Sequence, residues 1–284
     1  MQTIFKLGLI GYPLGHSLSP KIHAAALAAC GLQGSYSPFP IPPEDKPVLQ
    51  TLLARVRSGE IHGLNVTIPH KQNVITFMDE LTPTAKAIGA VNTIYMQGDK
   101  LIGDNTDASG FLADLKKVNK EMSPRRHGDA STQVDKSAVV LGAGGSARAV
   151  VYALLNDGWN VTIAARKIKQ SQQLAVSFMN YALRITTFDL QPSTFNLIVN
   201  TTPLGMTLNI DQSPLPENLS LPANAFVYDL VYNPRETKLV RDARAQGLNA
   251  STGLGMLIEQ AALAFEKWTG HNPPRDVLYQ AIES

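Results

Sequence analysis

The feature of this sequence that most constrains its fold is a glycine-rich loop that directly follows a short apolar run. Val139, Val140 and Leu141 lead into Gly-Ala-Gly-Gly-Ser-Ala at 142–147, a G-x-G-x-x-A pattern. Glycines at this spacing permit a tight turn and let the backbone approach a pyrophosphate, whose charge then lies at the N-terminal NH groups of the following helix. A position between an apolar run and a helix favours a dinucleotide-binding βαβ unit over an ordinary glycine-rich turn.

The second strand expected in this unit, 160–165, ends without the acidic residue that holds the adenosine ribose of NAD in such folds. In its place stands the run Ala-Arg-Lys-Ile-Lys at 165–169. These cations suit a 2′-phosphate, and the Arg166 guanidinium can also stack on adenine. The sequence therefore favours NADP as the cofactor, and basic residues on a solvated turn are the alternative.

Two series of alternating strand and helix patterns divide the chain. The first ends near residue 106 and includes two apolar runs around Gly98-Asp99, which is typical of a hairpin turn. The second restarts at Ser137 and alternates more regularly. Between them, 117–136 is rich in charge and turn formers and predicts a helix end followed by an exposed loop. The alternation predicts an α/β protein with two α/β domains, the second a Rossmann dinucleotide-binding domain.

Length and charge agree with this division and exclude other classes of protein. The 284 residues suit about two domains, since one domain commonly has ~100 to 200 residues. Hydrophobic residues make up 44% and charged residues 17%, which excludes a disordered or coiled-coil chain. The 25 Lys and Arg nearly balance the 23 Asp and Glu, so the composition provides no strong field for nucleic acid.

Cysteine and histidine usage bears on compartment and metal content. Cys30 is the single cysteine, so no intrachain disulfide can form and a reducing compartment is favoured. The first residues carry neither a signal-peptide pattern nor an apolar span of ~18 residues, and we expect a cytoplasmic protein without membrane attachment. The six histidines show no H-E-x-x-H spacing, and no metal is expected.

Further short blocks point to one enzyme family. In chain order they are S-L-S-P at 17–20, N-V-T-I-P-H-K at 65–71, G-A-V-N-T at 89–93, G-D-N-T-D at 103–107, N-T-T-P-L-G-M at 200–206, Y-N-P at 232–234 and G-L-G-M-L-I-E-Q at 253–260. With these blocks the chain resembles the shikimate dehydrogenase family over nearly its whole length. N-V-T-x-P-x-K and G-D-N-T-D are far more specific than a glycine loop.

The resemblance implies an architecture and a reaction. A substrate-binding catalytic domain would comprise 1–106 and be completed by C-terminal helices at 252–284. A Rossmann NADP-binding domain would comprise 107–251, with the active site in the cleft between the two. The implied reaction is the reversible NADPH-dependent reduction of 3-dehydroshikimate to shikimate, in chorismate and aromatic amino-acid biosynthesis.

Lys71 and Asp107 match the catalytic pair of the family. Reducing a ketone to an alcohol needs a hydride on carbon and a proton on oxygen, and a lysine ammonium can donate that proton. The carboxylate would hold the ammonium in place and share the substrate hydroxyl.

Substrate contacts are implied by the resemblance at Ser17, Ser19, Thr67, Asn92, Tyr232 and Gln260. The two serines match hydroxyls that bind the substrate carboxylate, and Ser19 is also placed to cap the following helix. Thr67, Asn92 and Gln260 match groups that hydrogen-bond the ring hydroxyls. An asparagine such as Asn92 can equally satisfy a turn.

Cofactor contacts are implied at Gly142, Ala143, Gly144, Gly145, Ser146, Ala165, Arg166, Lys167, Thr202, Leu230 and Gly253. Where the family usually carries Asn-Arg-Thr after the second strand, this chain has Ala-Arg-Lys at 165–167. Only the arginine is kept, so the strength of the preference for NADP over NAD stays open.

Two other functions are compatible with parts of the sequence. A quinate/shikimate dehydrogenase of the same superfamily would use the same residues on a substrate with one more hydroxyl, with NAD or NADP. A non-catalytic nucleotide-binding sensor is expected to have lost Lys71 or Asp107, and both are present. The expected partner is a small-molecule substrate, and whether the chain forms a homodimer is left open.

Overall fold

The computed structural model describes residues 3–122, 136–181, 183–187, 195–217 and 219–283. The chain forms two compact units. Unit 1 is Met1–Gly110 with Leu257–Ser284, and unit 2 is Phe111–Met256. Both boundaries fall inside helices, a few residues after the expected boundaries at 106 and 251.

The described part of unit 1 contains a six-stranded sheet in the order β2-β1-β3-β5-β6-β4. Its strands are β1 (Ile4–Gly11), β2 (Gln33–Pro40), β3 (Gly63–Val66), β4 (Glu80–Leu81), β5 (Thr93–Gln97) and β6 (Lys100–Asp104). Strand β5 is antiparallel to both of its neighbours, and the other pairings of this sheet are parallel.

The hairpin predicted around Gly98-Asp99 is confirmed. Strands β5 and β6 pair from Gln97 opposite Lys100 to Thr93 opposite Asp104. Gly98 has a φ of +62°, as the first central residue of a type II′ turn requires. The hairpin therefore brings the residues just before β5 beside those just after β6.

Helices cover this sheet with their apolar faces. They are α1 (Ser19–Ala29), α2 (Lys46–Arg57), α3 (Pro83–Ile88), α8 (Leu254–Thr269) and α9 (Arg275–Glu283), with a 3-10 turn at Asn73–Phe77. In α2 the Asp45 side chain caps the first turn by accepting from the Val48 NH at 3.2 Å. Leu49, Leu52, Leu53 and Val56 then recur at helical spacing and are all buried, so one face of α2 joins the core.

The C-terminal helices complete unit 1. Helix α8 is buried on most faces, and α9 packs on α1. The Trp268 indole donates from Nε1 to the Ile94 carbonyl at 3.1 Å. A Cβ on Gly63 would lie 2.2 Å from the same ring, so glycine in β3 is what lets the indole lie against the strand.

The described part of unit 2 contains a six-stranded sheet in which every pairing is parallel. Its strands are β7 (Ser137–Leu141), β8 (Asn160–Ala164), β9 (Arg184–Thr186), β10 (Leu197–Asn200), β11 (Phe226–Asp229) and β12 (Asn249–Thr252). Its helices are α4 (Asp107–Met122), which begins in unit 1, α5 (Gly145–Asn156), α6 (Ile168–Val176) and α7 (Lys238–Ala245). The order β9-β8-β7-β10-β11-β12 is that of a Rossmann fold, as predicted.

Helices α4 and α6 end at different kinds of segment. Helix α4 ends at Met122, within the stretch 117–136 where a helix end was predicted, and the predicted loop falls on residues 123–135, which lie outside the described residues. Helix α6 ends at Val176. The NH groups of Ser177 and Phe178 bond to carbonyls three residues back, which closes the helix with tight turns.

Candidate active site

A buried ion pair forms the centre of the candidate site in unit 1. The Lys71 Nζ lies 2.5 Å from the Asp107 Oδ2, and the two side chains are only 11% and 6% exposed. Lys71 follows β3, and Asp107 is the first residue of α4. The positive end of the helix dipole at α4 favours the carboxylate at that position. The structure thus brings the two predicted catalytic residues into direct contact.

The turn between β6 and α4 fixes Asp107. The Asn105 side chain accepts from the NH groups of Asp107 and Ala108 at 3.1 and 3.3 Å, and donates to the Ala90 carbonyl at 2.9 Å. The carboxylate of Asp104 lies 2.7 Å from the Lys267 Nζ on α8. The middle of the G-D-N-T-D block is therefore a capping device that sets where the last aspartate lies.

Asn92 bonds directly to the catalytic candidate. Its Nδ2 donates to the Asp107 Oδ1 at 2.8 Å and to the Thr106 Oγ1 at 2.9 Å. Its Oδ1 accepts from the Thr106 NH at 2.8 Å. Asn92 thus fixes the turn before α4 and also orients the carboxylate that holds Lys71.

Gln260 reaches the same cluster from α8. Its Oε1 lies 3.3 Å from the Asn92 Nδ2, and its main-chain carbonyl accepts from the Thr106 Oγ1 at 3.1 Å. A Cβ on Gly110 would lie 2.7 Å from the Gln260 nitrogen, so glycine permits the close packing of α4 on α8 at this point. Asn92 and Gln260, distant in sequence, are neighbours in the fold.

A second buried cluster supports Asn92 through the backbone. The Asn65 Nδ2 donates to the Asn92 carbonyl at 3.3 Å, while its Oδ1 faces the His23 Nε2 at 3.0 Å and the Tyr36 hydroxyl at 2.8 Å. The His23 ring stacks on Tyr36 with centroids 4.3 Å apart. Complete burial lowers the pKa of His23 to about 3, against the opposing effect of its bond to Asn65. This histidine is therefore neutral at physiological pH.

Three residues predicted to bind the substrate through hydroxyl groups lie beyond the same edge of the first sheet. Parallel β1 and β3 end side by side, with Ile10 opposite Val66, and the loops after them carry Ser17, Ser19 and Thr67. The Ser19 NH donates to the Ser17 Oγ at 3.3 Å.

The expected cap by Ser19 is wrong. Leu18 occupies the cap position of α1, and no side-chain cap bond forms. Ser19 is instead the first helical residue, so its hydroxyl is past the position from which a cap reaches the free NH groups. Within the described ranges the hydroxyls of Ser19 and Thr67 have no protein partner, which leaves both able to bond to a ligand.

The predicted cofactor residues share one edge of the second sheet. The register aligns Ala164, Leu141, Asn200, Asp229 and Thr252 in a single row across β8, β7, β10, β11 and β12. The predicted residues Ala165, Gly142, Leu230 and Gly253 directly follow these strand ends, and the predicted Thr202 is the second residue after Asn200. Ligands of open parallel sheets bind at this carboxyl edge, and the strand order reverses between β7 and β10.

The glycine loop has the geometry that a dinucleotide needs. Gly142 has a φ of +115°, and a Cβ there would lie 2.6 Å from the Thr201 Oγ1. A Cβ on Gly144 would meet nothing within 4 Å, so the space beside the loop is open to a ligand. Gly144 precedes α5, whose first NH groups have no acceptor within the helix. Ala143, Gly145 and Ser146 lie in this same turn and first helical residues. These features fit a pyrophosphate.

The basic residues in the turn after β8 are exposed to solvent. Ala165 is buried, whereas Arg166 and Lys167 are exposed, and Lys167 occupies the cap position of α6. The Arg166 guanidinium is therefore free to approach a ligand at the sheet edge, and a phosphate is the group it suits best.

The loops after β10, β11 and β12 meet closely. The Thr202 NH and Oγ1 donate to the Asn200 Oδ1 at 2.9 and 2.7 Å. A Cβ on Gly253 would lie 2.4 Å from the Leu230 carbonyl oxygen, so only glycine allows this approach. Tyr232, a predicted substrate contact, follows Leu230 in unit 2 and is partly buried.

Sequence reasoning missed the polar residues that end β10 and β11. Asn200 and Asp229 are fully buried and bonded to each other, Nδ2 to Oδ1, at 2.8 Å. Burial raises the pKa of Asp229 to about 6, although hydrogen bonds from Thr237, Val231 and Asn200 oppose the shift. The available signal was a polar residue closing each of the apolar runs L-I-V-N and F-V-Y-D.

Two negative findings concern the described residues only. No group of three or more His, Cys, Asp or Glu side chains is arranged there to hold a metal ion. No helix among them is both long enough and apolar enough to cross a bilayer.

Comparisons with known proteins agree on one family. Residues 9–94 match the model of the shikimate dehydrogenase substrate binding domain, and residues 253–283 match that of the shikimate 5′-dehydrogenase C-terminal domain. The NADP(+) shikimate dehydrogenase of Salinibacter ruber is 42% identical over an alignment of 286 positions, which covers 97% of this chain and 96% of the relative.

Solved structures give the same result. Shikimate 5-dehydrogenase from Thermus thermophilus, in complex with NADP(H) and shikimate, is 38% identical with a TM-score of 0.85 over 99% of each chain. Quinate dehydrogenase from Corynebacterium glutamicum, in complex with NAD, is 30% identical with a TM-score of 0.85 over 99% of each chain. With its matching site blocks, its two α/β units and these similarities, the chain belongs to the shikimate dehydrogenase family.

Proposed function

We propose that this protein catalyses the reversible NADPH-dependent reduction of 3-dehydroshikimate to shikimate. Unit 1 binds the substrate and unit 2 binds NADP. The observation that carries the proposal is the buried Lys71–Asp107 pair at 2.5 Å, held by Asn92 on the other carboxylate oxygen. A lysine and an aspartate fixed in this way suit proton transfer at a substrate oxygen, the half of ketone reduction that the protein must supply.

Each member of the pair has a separate task. Bound NADPH supplies the hydride that the carbonyl carbon receives. Lys71 donates a proton from Nζ to the carbonyl oxygen, and in the reverse direction it accepts the hydroxyl proton. Asp107 keeps the ammonium in place and accepts a hydrogen bond from the hydroxyl. Asn92 holds Asp107 in one orientation, so the pair needs little rearrangement during the reaction.

The remaining polar groups of unit 1 suit a hydroxylated ring acid. The hydroxyls of Ser17 and Ser19 bind its carboxylate. Thr67 bonds to a ring hydroxyl through its unengaged Oγ1. Asn92 and Gln260 reach the ring from the cluster around Asp107, and Tyr232 matches a further substrate contact of the family.

The loops at the carboxyl edge of unit 2 bind NADP. Residues 142–146 and the start of α5 take the pyrophosphate. Arg166, with Ala165 and Lys167 beside it, takes the 2′-phosphate of the adenosine ribose. Thr202, Leu230 and Gly253 lie on the other side of the glycine loop and take the nicotinamide half.

A quinate/shikimate dehydrogenase is the second candidate. The similarity to the quinate dehydrogenase of Corynebacterium glutamicum supports it, at 30% identity against 42% for the shikimate dehydrogenase of Salinibacter ruber. Quinate carries an extra hydroxyl on the carbon that bears the carboxylate. Ser17 and Ser19, two small hydroxyl side chains, could provide that oxygen with either a partner or space.

The test is a set of four initial-rate assays at 340 nm, with shikimate or quinate and with NADP or NAD. We expect the highest kcat/KM for shikimate with NADP. Comparable efficiency on the two acids would favour the quinate/shikimate alternative. Binding of NADP without turnover in any of the four assays would favour a nucleotide-binding sensor.

Cellular context adds three proposals. Placement in aromatic amino-acid biosynthesis predicts that the gene restores growth without aromatic amino acids to a strain lacking shikimate dehydrogenase, and that its Lys71→Ala variant does not. Cytoplasmic localisation rests on the single cysteine, Cys30, and is tested by cell fractionation. A homodimer would be detected by sedimentation of the purified protein.

A further inference from the structure

We propose that Asp229 is a positioning residue for the cofactor, which orients Asn200 and thereby fixes the loops after β10 and β11. This inference rests on the proposed function, because those loops matter only if unit 2 binds NADP. Asp229 does not touch the cofactor itself. It acts through the amide of Asn200 and the backbone of Val231.

The Asp229 carboxylate joins three segments at the end of β11. Its Oδ1 accepts from the Asn200 Nδ2 at 2.8 Å and from the Val231 NH at 3.0 Å. Its Oδ2 accepts from the Thr237 Oγ1 at 2.7 Å. The side chain is fully buried, so these bonds replace water entirely.

A carboxylate at this position decides how the Asn200 amide points. An ionised carboxylate can only accept hydrogen bonds, so the NH₂ group of Asn200 must face it. The Asn200 Oδ1 is then turned toward the next loop, where it accepts from the NH and Oγ1 of Thr202 at 2.9 and 2.7 Å. With the opposite amide orientation the bond from the Thr202 NH would be lost, because two donors would then face each other.

The loops fixed in this way carry candidate cofactor contacts. Thr202 lies in the loop after β10, and Leu230 lies between Asp229 and Val231. In the proposed complex the pyrophosphate lies after β7 and the 2′-phosphate after β8, so the nicotinamide half extends over β10 and β11. Asp229 therefore fixes the backbone of the loops after β10 and β11, which lie next to the proposed nicotinamide site.

The free-energy cost of burying the Asp229 carboxylate argues against a purely structural role. Among the described residues Asp229 has no cationic partner, and burial raises its pKa to about 6. A neutral side chain would be less costly to bury, since a buried unpaired charge is strongly disfavoured. A group that only accepts hydrogen bonds and forces one amide orientation explains why a carboxylate is retained at the cofactor edge.

Three variants separate positioning from simple loss of structure. Asp229→Leu removes every acceptor. Asp229→Asn keeps an oxygen for Asn200 and Val231, and its NH₂ group can donate to the Thr237 hydroxyl. Thr237→Val removes only the bond to Oδ2 and the cap of α7, so it is the control for local destabilisation.

The readouts are the Kd of NADP by fluorescence titration and the KM values for NADP and shikimate. For Asp229→Leu we expect Kd and KM for NADP to rise about 10-fold or more, because buried groups lose their partners. Its KM for shikimate should change less than about 3-fold. Thr237→Val should keep NADP affinity within about 3-fold of the unmodified protein, and Asp229→Asn, which can still accept but no longer forces one orientation of the Asn200 amide, should lie between Thr237→Val and Asp229→Leu.

Unchanged NADP affinity in Asp229→Leu would overturn the inference, and so would equal loss in Asp229→Asn. If Asp229→Leu does not fold, Asn200→Ala removes the oriented amide, and unchanged NADP affinity in that variant would overturn the inference in the same way. Failure of the proposed function looks different. The unmodified protein would then bind NADP but not oxidise shikimate, while the binding comparison among the variants would still test Asp229.

Discussion

Removing Lys71 should affect both catalysis and stability, and the size of each effect follows from the geometry of the pair. Without its amine, the Lys71→Ala variant has no proton donor at the substrate oxygen. General acid/base catalysis typically contributes ~10²- to 10⁴-fold, so kcat should fall by about that factor. The Kd of NADP, which binds to unit 2, should stay nearly unchanged.

The stability effect comes from the carboxylate left behind. Breaking a buried ion pair by removing one partner costs about 3 to 5 kcal/mol, and exposures of 11% and 6% leave little solvent to screen this pair. In the variant, Asp107 keeps its bond from Asn92 and its place at the start of α4, which offsets about 1 to 2 kcal/mol. The free energy of unfolding should therefore fall by about 1 to 4 kcal/mol.

A double-mutant cycle tests this reasoning. Lys71→Ala, Asp107→Asn and the double variant would be compared by urea unfolding and by turnover at 340 nm. Since the double variant buries no unpaired charge, it should be more stable than Lys71→Ala by about 1 to 2 kcal/mol. Its kcat should be no lower than that of either single variant, because the two residues act as one unit. A kcat of Lys71→Ala within tenfold of normal, or a double variant less stable than Lys71→Ala, would refute the account.

Three further predictions concern cofactor, substrate and pH. Arg166→Ala should weaken NADP binding by roughly 10- to 100-fold and leave NAD binding nearly unchanged, because it removes a charge-assisted contact worth ~1.5 to 3 kcal/mol; equal KM values for the two cofactors in the unmodified protein would contradict this. Shikimate should be preferred to quinate by about 10- to 150-fold in kcat/KM, because a pocket fitted to shikimate would bury the extra hydroxyl without a hydrogen-bond partner; similar values would show that Ser17 and Ser19 accommodate it. The pKa of His23 is about 3 in the folded protein, below that of the unfolded chain, so stability should be full above pH ~6.5 and fall by up to ~1.4 kcal/mol per unit as pH drops toward 3. Because Asp229, whose pKa is raised to about 6, contributes in the opposite direction below pH 6, the measurement is urea unfolding at pH 7, 6 and 5 of the unmodified protein against a His23→Phe variant, and the same pH dependence in both would exclude His23 as a source.

The sequence predicts local structure best where a conformation favours one residue type, as a positive φ favours glycine. Gly98-Asp99 predicts a turn because glycine adopts positive φ without strain, and the hairpin forms there. The G-x-G-x-x-A block predicts a strand, a tight turn and a helix for the same reason. Both depend on local sterics, which neighbouring residues determine.

Predictions fail where distant contacts decide the outcome. Asn200 and Asp229 end apolar runs and give no local sign that they bond to each other, because only the register of β10 and β11 makes them neighbours. The cluster of Asn92 with Gln260 likewise depends on α8 returning to unit 1. Ser19 has a cap-like sequence context, yet α1 starts one residue earlier than a cap at that position would allow.

The return of α8 and α9 to the first sheet has a consequence for synthesis on the ribosome. Unit 2 is continuous in the chain, whereas unit 1 lacks its closing helices, including Trp268 against β3, until residues beyond 256 are made. Domains usually fold in the order of translation, at ~5 to 20 residues per second. In this chain the order differs. Unit 2 can fold once residue 256 has been made, whereas the N-terminal strands cannot pack against α8 and α9 until the following residues have been made. The nascent N-terminal segment is then the part of the protein most exposed to chaperones and proteases.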